Sequence, residues 1–200
     1  MTRRGDSPYK RADSFTKAAK SQGFPARSVF KLEEIDRRVR LLSRGQHVLD
    51  LGAAPGSWTL YAAQKVGPSG QVLAVDLQAI VVPLAPHAKA VQGNALDLSN
   101  ADLALFAPYD VVLSDMAPST TGDRMTDQAR SFELFARALE VAKTLGKPGS
   151  SFVGKIFMGG ELPDAKERVR QAYGEVKLVR PDAVRAQSFE VFIVGLGKKA

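Results

Sequence analysis

Residues 47–67 read HVLDLGAAPGSWTLYAAQKVG, and this stretch decides the fold. Its first part, 47–54, is a short apolar run ending in glycine and alanines, the pattern of a buried strand. Its second part, 57–67, has helical spacing and stops at Gly67-Pro68. A strand that turns through small residues straight into a helix is the opening unit of a parallel α/β sheet. Working outward, 71–77 and 88–95 read as further strands, 96–106 as a short helix, and 109–117 as a fourth strand cut off by Pro118. The longest helical pattern, 126–145, ends at Gly146 and Pro148. Strands follow at 150–157, 175–181 and 189–197, with a helix at 163–173. These strands are apolar through their length, as strands covered on both faces are. A short loop joins the last two, which predicts an antiparallel hairpin at one edge. The fold class is therefore α/β, doubly wound, with a mainly parallel seven-stranded sheet. Upstream, Val29, Leu32, Ile35, Val39 and Leu42 follow helical spacing over 26–42, with Arg27, Lys31 and Arg38 on a common face beside that stripe.

The 200 residues fit a single domain, and the 44% hydrophobic and 24% charged fractions are those of a soluble globular chain. With no cysteine there is no disulfide framework or thiolate metal site. No apolar run resembles a secretory signal or a bilayer span, so the expectation is a cytoplasmic protein with no membrane association. The net charge of +7 is concentrated in residues 1–40, which carry eleven basic and five acidic residues. That stretch reads as a basic N-terminal extension, either a solvated surface or an electrostatic footprint for phosphates. Lys10, Arg11, Lys17, Lys20, Arg27 and Arg38 are its candidate phosphate contacts. His47 and His87 have no ligand-spaced partner, and no metal site is expected.

The turn Asp50-Leu51-Gly52-Ala53-Ala54-Pro55-Gly56 lies at the carboxyl end of the first strand, where open α/β sheets bind ligands. A pyrophosphate site wants G-x-G-x-x-G and a helix terminus facing the phosphate. Here the glycines are spaced differently, Pro55 removes an amide donor and no basic residue is near. The loop suits a cofactor without phosphates but with positive charge, which Asp50 can face; S-adenosylmethionine has these properties. Asp76, at the end of the second strand, is placed for the ribose hydroxyls of an adenosine, or is an ordinary turn aspartate. Asn94 offers an acceptor to an adenine amino group, or simply occupies a turn.

Asp115 ends the fourth strand, facing the same crevice. Lys155 lies within the apolar run Phe152-Val153-Gly154-Lys155-Ile156-Phe157, where a buried lysine must lose its charge or find partners. The alternative is a lysine snorkelling at a sheet edge. Glu190 interrupts Phe189-Glu190-Val191-Phe192 in the same way, and the two displaced charges suggest mutual pairing.

At these residues the chain resembles the FtsJ-type RNA 2′-O-methyltransferases, Rossmann-like enzymes of the class I S-adenosylmethionine-dependent fold. The likeness runs from Ser7-Pro8-Tyr9 to the end and includes Ser28-Val29-Phe30-Lys31-Leu32, Ser114-Asp115-Met116-Ala117-Pro118, Gly154-Lys155-Ile156-Phe157 and Ser188-Phe189-Glu190-Val191. The family's Lys-Asp-Lys-Glu tetrad is matched in order by Lys31, Asp115, Lys155 and Glu190. The resemblance implies methyl transfer to the ribose 2′-hydroxyl of a uridine in 23S ribosomal RNA, within the assembled large subunit, by a monomer. It implies cofactor contacts at Gly56, Trp58, Asp76, Asn94 and Asp115, beside Asp50 and Gly52. Asn94 stands where relatives carry Asp, and Ser57 where Gly is usual, the latter with little consequence expected. The rivals are a 2′-O-methyltransferase of tRNA or cap, and a non-catalytic RNA-binding assembly factor on the same scaffold. A small-molecule methyltransferase would leave the basic extension without a reason, and the glycine spacing disfavours an NAD-dependent oxidoreductase.

Overall fold

The computed structural model describes residues 8–185 and 187–200. Two helices come first, α1 (Pro8–Ser21) and α2 (Val29–Val39). Next come β1 (His47–Leu51), α3 (Ser57–Val66), β2 (Gln71–Asp76), β3 (Ala88–Gln92) and β4 (Tyr109–Ser114). The chain continues through α4 (Arg124–Leu145), β5 (Gly146–Phe157), α5 (Leu162–Ala172), β6 (Tyr173–Val179) and β7 (Glu190–Lys198). The strands form one sheet in the order β3-β2-β1-β4-β5-β7-β6. The first five are mutually parallel, and β7 runs antiparallel between β5 and β6. This is the doubly wound sheet that the alternation of strand and helix predicts. The sequence expectation of a hairpin at one edge also holds, although β7 lies inside the sheet and β6 forms the edge.

Each face of the sheet has its own apolar layer. On one side Val48, Val72, Val111, Val153 and Phe192 pack against α1, α2 and α3. On the other, Leu49, Leu73, Val112, Phe152 and Ile193 pack against α4 and α5. Successive side chains of a strand point to opposite faces, so the parity of a residue fixes which layer it enters.

Several elements differ from expectation for identifiable reasons. Residues 96–106 form turns rather than a helix. The Asn94 side chain accepts the N–H of Leu96, and Ser99 and Asp102 bond reciprocally a few residues on, so two successive caps each open only a short turn. Helix α2 is shorter than the apolar stripe, because Arg40 adopts a left-handed conformation (φ 54°) and ends it. Residues 8–21, expected as a basic extension, form α1 instead, and Ala19, Phe24, Val29, Leu32 and Ile35 enter the core. The first forty residues are thus in part a packed layer. Strand β5 begins at Gly146, ahead of the predicted start, with a register shift opposite Tyr109 and Val111.

Candidate active site

The four charged residues picked out from the sequence converge at the strand tips, on the face covered by α2. Parity brings them there. Asp115 lies two positions past Leu113, Lys155 two past Val153, and Glu190 two before Phe192, and all three apolar residues belong to that layer. Lys31 reaches the same place from α2, whose apolar stripe is buried against the sheet. Lys31 Nζ lies 2.6 Å from Glu190 Oε1 and 3.7 Å from Asp115 Oδ1. Lys155 Nζ lies 3.0 Å from Asp115 Oδ1 and donates a hydrogen bond to the Asp115 backbone carbonyl. Asp115 Oδ1 is thus an ion-pair acceptor shared by both lysines, without a well-aligned hydrogen bond of its own.

The expectation that Lys155 and Glu190 pair with each other is corrected by this geometry: the pairs are Lys155 with Asp115 and Lys31 with Glu190. Lys155 is 5% exposed on an interior strand, which excludes snorkelling at an edge.

The turn after β1 borders the same tips. Gly52 has φ 76°, and a Cβ there would stand 2.7 Å from the backbone nitrogen of Met116, so only glycine lets β1 and the segment after β4 approach this closely. Gly56, at φ 108°, opens α3, and its hydrogen faces the Val82 side chain from the segment after β2. Asp50 is wholly buried. Thr59 Oγ1 donates to its Oδ2 at 2.7 Å, while Oδ1 has no hydrogen-bond partner. Burial pushes the Asp50 carboxyl up to about 7, against the opposing Thr59 hydrogen bond and aided by the charges of Asp115 and Asp76. Asp76 accepts the N–H groups of Ala54 and Gln78, tying β2 to the glycine turn while keeping its carboxylate at the crevice. Asn94 binds Leu96 and Asp97 within its own turn, the role of an ordinary Asx residue. The Trp58 indole is buried against Phe192 and donates to the Ser28 carbonyl at 2.8 Å, so its side chain belongs to the core. Any ligand contact at Trp58 falls to its backbone amide, in the first turn of α3.

Ser57, expected to matter little, is buried and bonds Ala26 twice, accepting its N–H and donating to its carbonyl. With Trp58 it locks residues 26–28 onto α3, which places Arg27 beside the tetrad. There Arg27, Ser28, Lys31, Arg185, Gln187, Ser188 and Glu190 help line a cleft of about 570 Å³. Desolvation and the neighbouring Arg185 charge lower the Arg27 pKa, with Glu190 opposing. Arg185 escaped the sequence reading because nothing local distinguishes it; the loop between β6 and β7 carries it to the cleft.

The other basic candidates fall apart as a set. Arg27, expected on one helix face with Lys31 and Arg38, precedes α2; the other two keep helical spacing, but Lys31 is buried in the tetrad and Arg38 pairs with Glu34. Glu34 also accepts the N–H of Asp182, so Arg38 helps anchor the loop that carries Arg185. Lys17 and Lys20 are exposed on α1, while the side chains of Lys10 and Arg11 lie outside the described residues. His47 and His87 contact the carbonyls of Phe106 and Ala63. Among the described residues no helix is long and apolar enough to cross a membrane.

This strand order, with its polar crevice at the carboxyl ends of parallel strands, defines a Rossmann-like methyltransferase fold. The chain belongs to the FtsJ-like methyltransferase family, whose model matches residues 24–198. A ribosomal RNA large subunit methyltransferase E from Sorangium cellulosum (strain So ce56) is 60% identical over 200 residues, covering 100% of this chain and 94% of that one. The protein of the same name from Nitratidesulfovibrio vulgaris (strain DP4) is 49% identical over 191 residues, covering 94% of each chain. Among solved structures, a ribosomal RNA methyltransferase from Plasmodium falciparum shares the fold with a TM-score of 0.73 at 20% identity, covering 86% of this chain and 97% of that one.

Proposed function

We propose that the chain transfers the methyl group of S-adenosylmethionine to the ribose 2′-hydroxyl of a uridine in 23S ribosomal RNA, acting as a cytoplasmic monomer on the assembled large subunit. The observation that carries this reading is the meeting of Lys31, Asp115, Lys155 and Glu190 within ion-pair distance at the strand tips. Relatives named ribosomal RNA large subunit methyltransferase E, similar along the whole chain, support the substrate.

The residues at the crevice fit the cofactor. Asp50 keeps a buried carboxylate oxygen without a hydrogen-bond partner, an acceptor that a cationic group would satisfy. Gly52 lets the turn after β1 close against Met116, which brings the turn beside Asp115 at the strand tips. Asp76 ends β2 where an adenosine's ribose hydroxyls are held. When bound, the cofactor supplies an electrophilic methyl on a sulfonium. Asn94 and the Trp58 amide complete the expected contacts, Asn94 through the remaining lone pair of its oxygen.

The chain's own work is to place and polarise the 2′-oxygen. Lys155 engages the carbonyl and the carboxylate of Asp115, leaving one of its three N–H directions for the 2′-oxygen. From there it aligns the oxygen with the methyl at roughly 3–3.5 Å and, as a hydrogen-bond donor, stabilises the charge that develops on it while the hydroxyl proton leaves to water. Lys31 neutralises Glu190 and shares Asp115, which keeps the site from accumulating negative charge around the nucleophile. Arg27 and Arg185 meet the backbone phosphates from the adjoining cleft, with Lys17 and Lys20 extending the basic surface along α1.

The test is Lys155→Ala. Single-turnover methyl transfer to large-subunit RNA should fall by roughly 10²–10⁴, while equilibrium binding of adenosylmethionine persists. Near-normal transfer would reject the assignment.

A further inference from the structure

Resting on the reading of RNA 2′-O-methylation, the structure also points to where the substrate's displaced bases go. A ribose that reaches Lys155, 5% exposed at the strand tips, is drawn out of its neighbours' stack. Proteins that handle unstacked nucleotides recover the lost stacking on aromatic rings and guanidinium planes.

Among the described side chains Phe189 is the one exposed aromatic ring, with 47% of its surface accessible. It immediately precedes Glu190 of the tetrad. Its backbone is fixed, because its carbonyl accepts the N–H of Met158 at 2.8 Å and continues the pairing of β7 with β5 past Phe157 and Glu190. Neighbouring positions alternate faces, so Glu190 turns to Lys31 on α2 while the Phe189 ring turns to α4. There the Arg124 guanidinium lies 4.2 Å from the ring centroid.

Arg124 is the first residue of α4, where the helix dipole disfavours a cation. Met125 beside it is 79% exposed. An exposed ring, an exposed methionine and an arginine at the wrong helix end are each unfavourable for a free surface, and they occur together at the rim of the site. Asp123 caps the helix by accepting the N–H of Thr126, and Asp127 holds Thr121, so the segment presenting Arg124 is well anchored. One side of the rim comes from the segment that follows Asp115, the other from the segment that leads into Glu190.

We propose that Phe189 and Arg124 form a stacking platform for the base of a nucleotide flanking the methylated one. The ring lies on the opposite face from Glu190, so it serves the neighbour of the target rather than the target itself. The pair offers a π surface and a cation to any base, which gives affinity and register without reading sequence.

The experiment uses the full chain and large-subunit ribosomal RNA from cells lacking its gene. Phe189→Leu keeps apolar bulk but removes the ring, and should raise KM for RNA about 10-fold, with affinity for adenosylmethionine preserved as the folding control. Phe189→Tyr should restore KM. In RNA fragments carrying 2-aminopurine on either side of the mapped methyl mark, the wild-type chain should quench one position by stacking, and Phe189→Leu should leave it bright. A Leu variant with wild-type KM, or quenching that survives loss of the ring, would overturn the platform while leaving the methyltransferase reading intact. A wild-type chain inactive on that RNA would bring down both.

Discussion

At the scale of single residues, Asp50 is a carboxyl strongly altered by folding. Its carboxyl is pushed up to about 7 by complete burial, far above the ordinary carboxylate value. The folded chain therefore holds this proton more tightly than the unfolded one. The stabilising contribution is fully present below about pH 4 and is lost as pH rises through about 7. The ligand-free protein should accordingly become less stable over that window, and Asp50→Asn should flatten the slope, as urea midpoints at pH 5 and pH 8 would reveal. A cation bound beside Asp50 favours the ionised form, so affinity for adenosylmethionine should rise with pH up to about 7. The Asn variant should bind more weakly and without that rise; an unchanged calorimetric pH profile would rule out the contact. Asp50 could be singled out from its place at the strand end, but its orphaned oxygen is a product of packing and has no sequence signature.

Among the elements, β5 carries the most consequence because it delivers Lys155 to the tetrad. Its precision depends on Gly154, where a Cβ would stand 2.5 Å from Phe152 Cζ and 2.8 Å from Phe135 Cδ2. Those two rings pack edge to face at 5.6 Å and couple β5 to α4. Gly154→Ala should cost about 1–3 kcal/mol of stability by overpacking and reduce methyl transfer more than cofactor binding. Chemical denaturation and single-turnover assays would check this, and a variant as stable as wild type would mean that the ring pair yields freely. Element reading succeeded where periodicity was long and uniform, as in β1, α3, β2 and α4. It failed over 96–106, where two successive caps break the segment into short turns, and over α1, whose basic residues concealed the buried position of Ala19.

For the whole molecule, the net charge of +7 becomes meaningful only when placed on the surface. Arg27 and Arg185, separated by most of the chain, meet at one cleft beside the tetrad. RNA binding should weaken steeply with salt as phosphate contacts release counterions. Replacing both arginines with Gln should lower the slope of log affinity against log salt by about 2. Titrations at several salt concentrations measure it, and an unaltered slope in the double variant would remove the cleft from the phosphate-binding surface.

By itself the sequence determined the layers. Its apolar periodicities, Gly-rich turn and breakers dictated a parallel sheet with a ligand crevice at its tips, because burial and backbone geometry are local demands written into residue type and spacing. It also exposed Lys155 and Glu190, since a lysine or glutamate inside an apolar strand is costly wherever it occurs, and Asp115 by its place at a strand end; Lys31, on a helix, joined them only through the family resemblance. Which lysine pairs with which acid, the arrival of Arg185 beside Arg27, and the seating of Trp58 in the core were decided by tertiary structure alone. Those outcomes depend on distances between segments far apart along the chain, and such distances exist only once strand order and helix packing are complete.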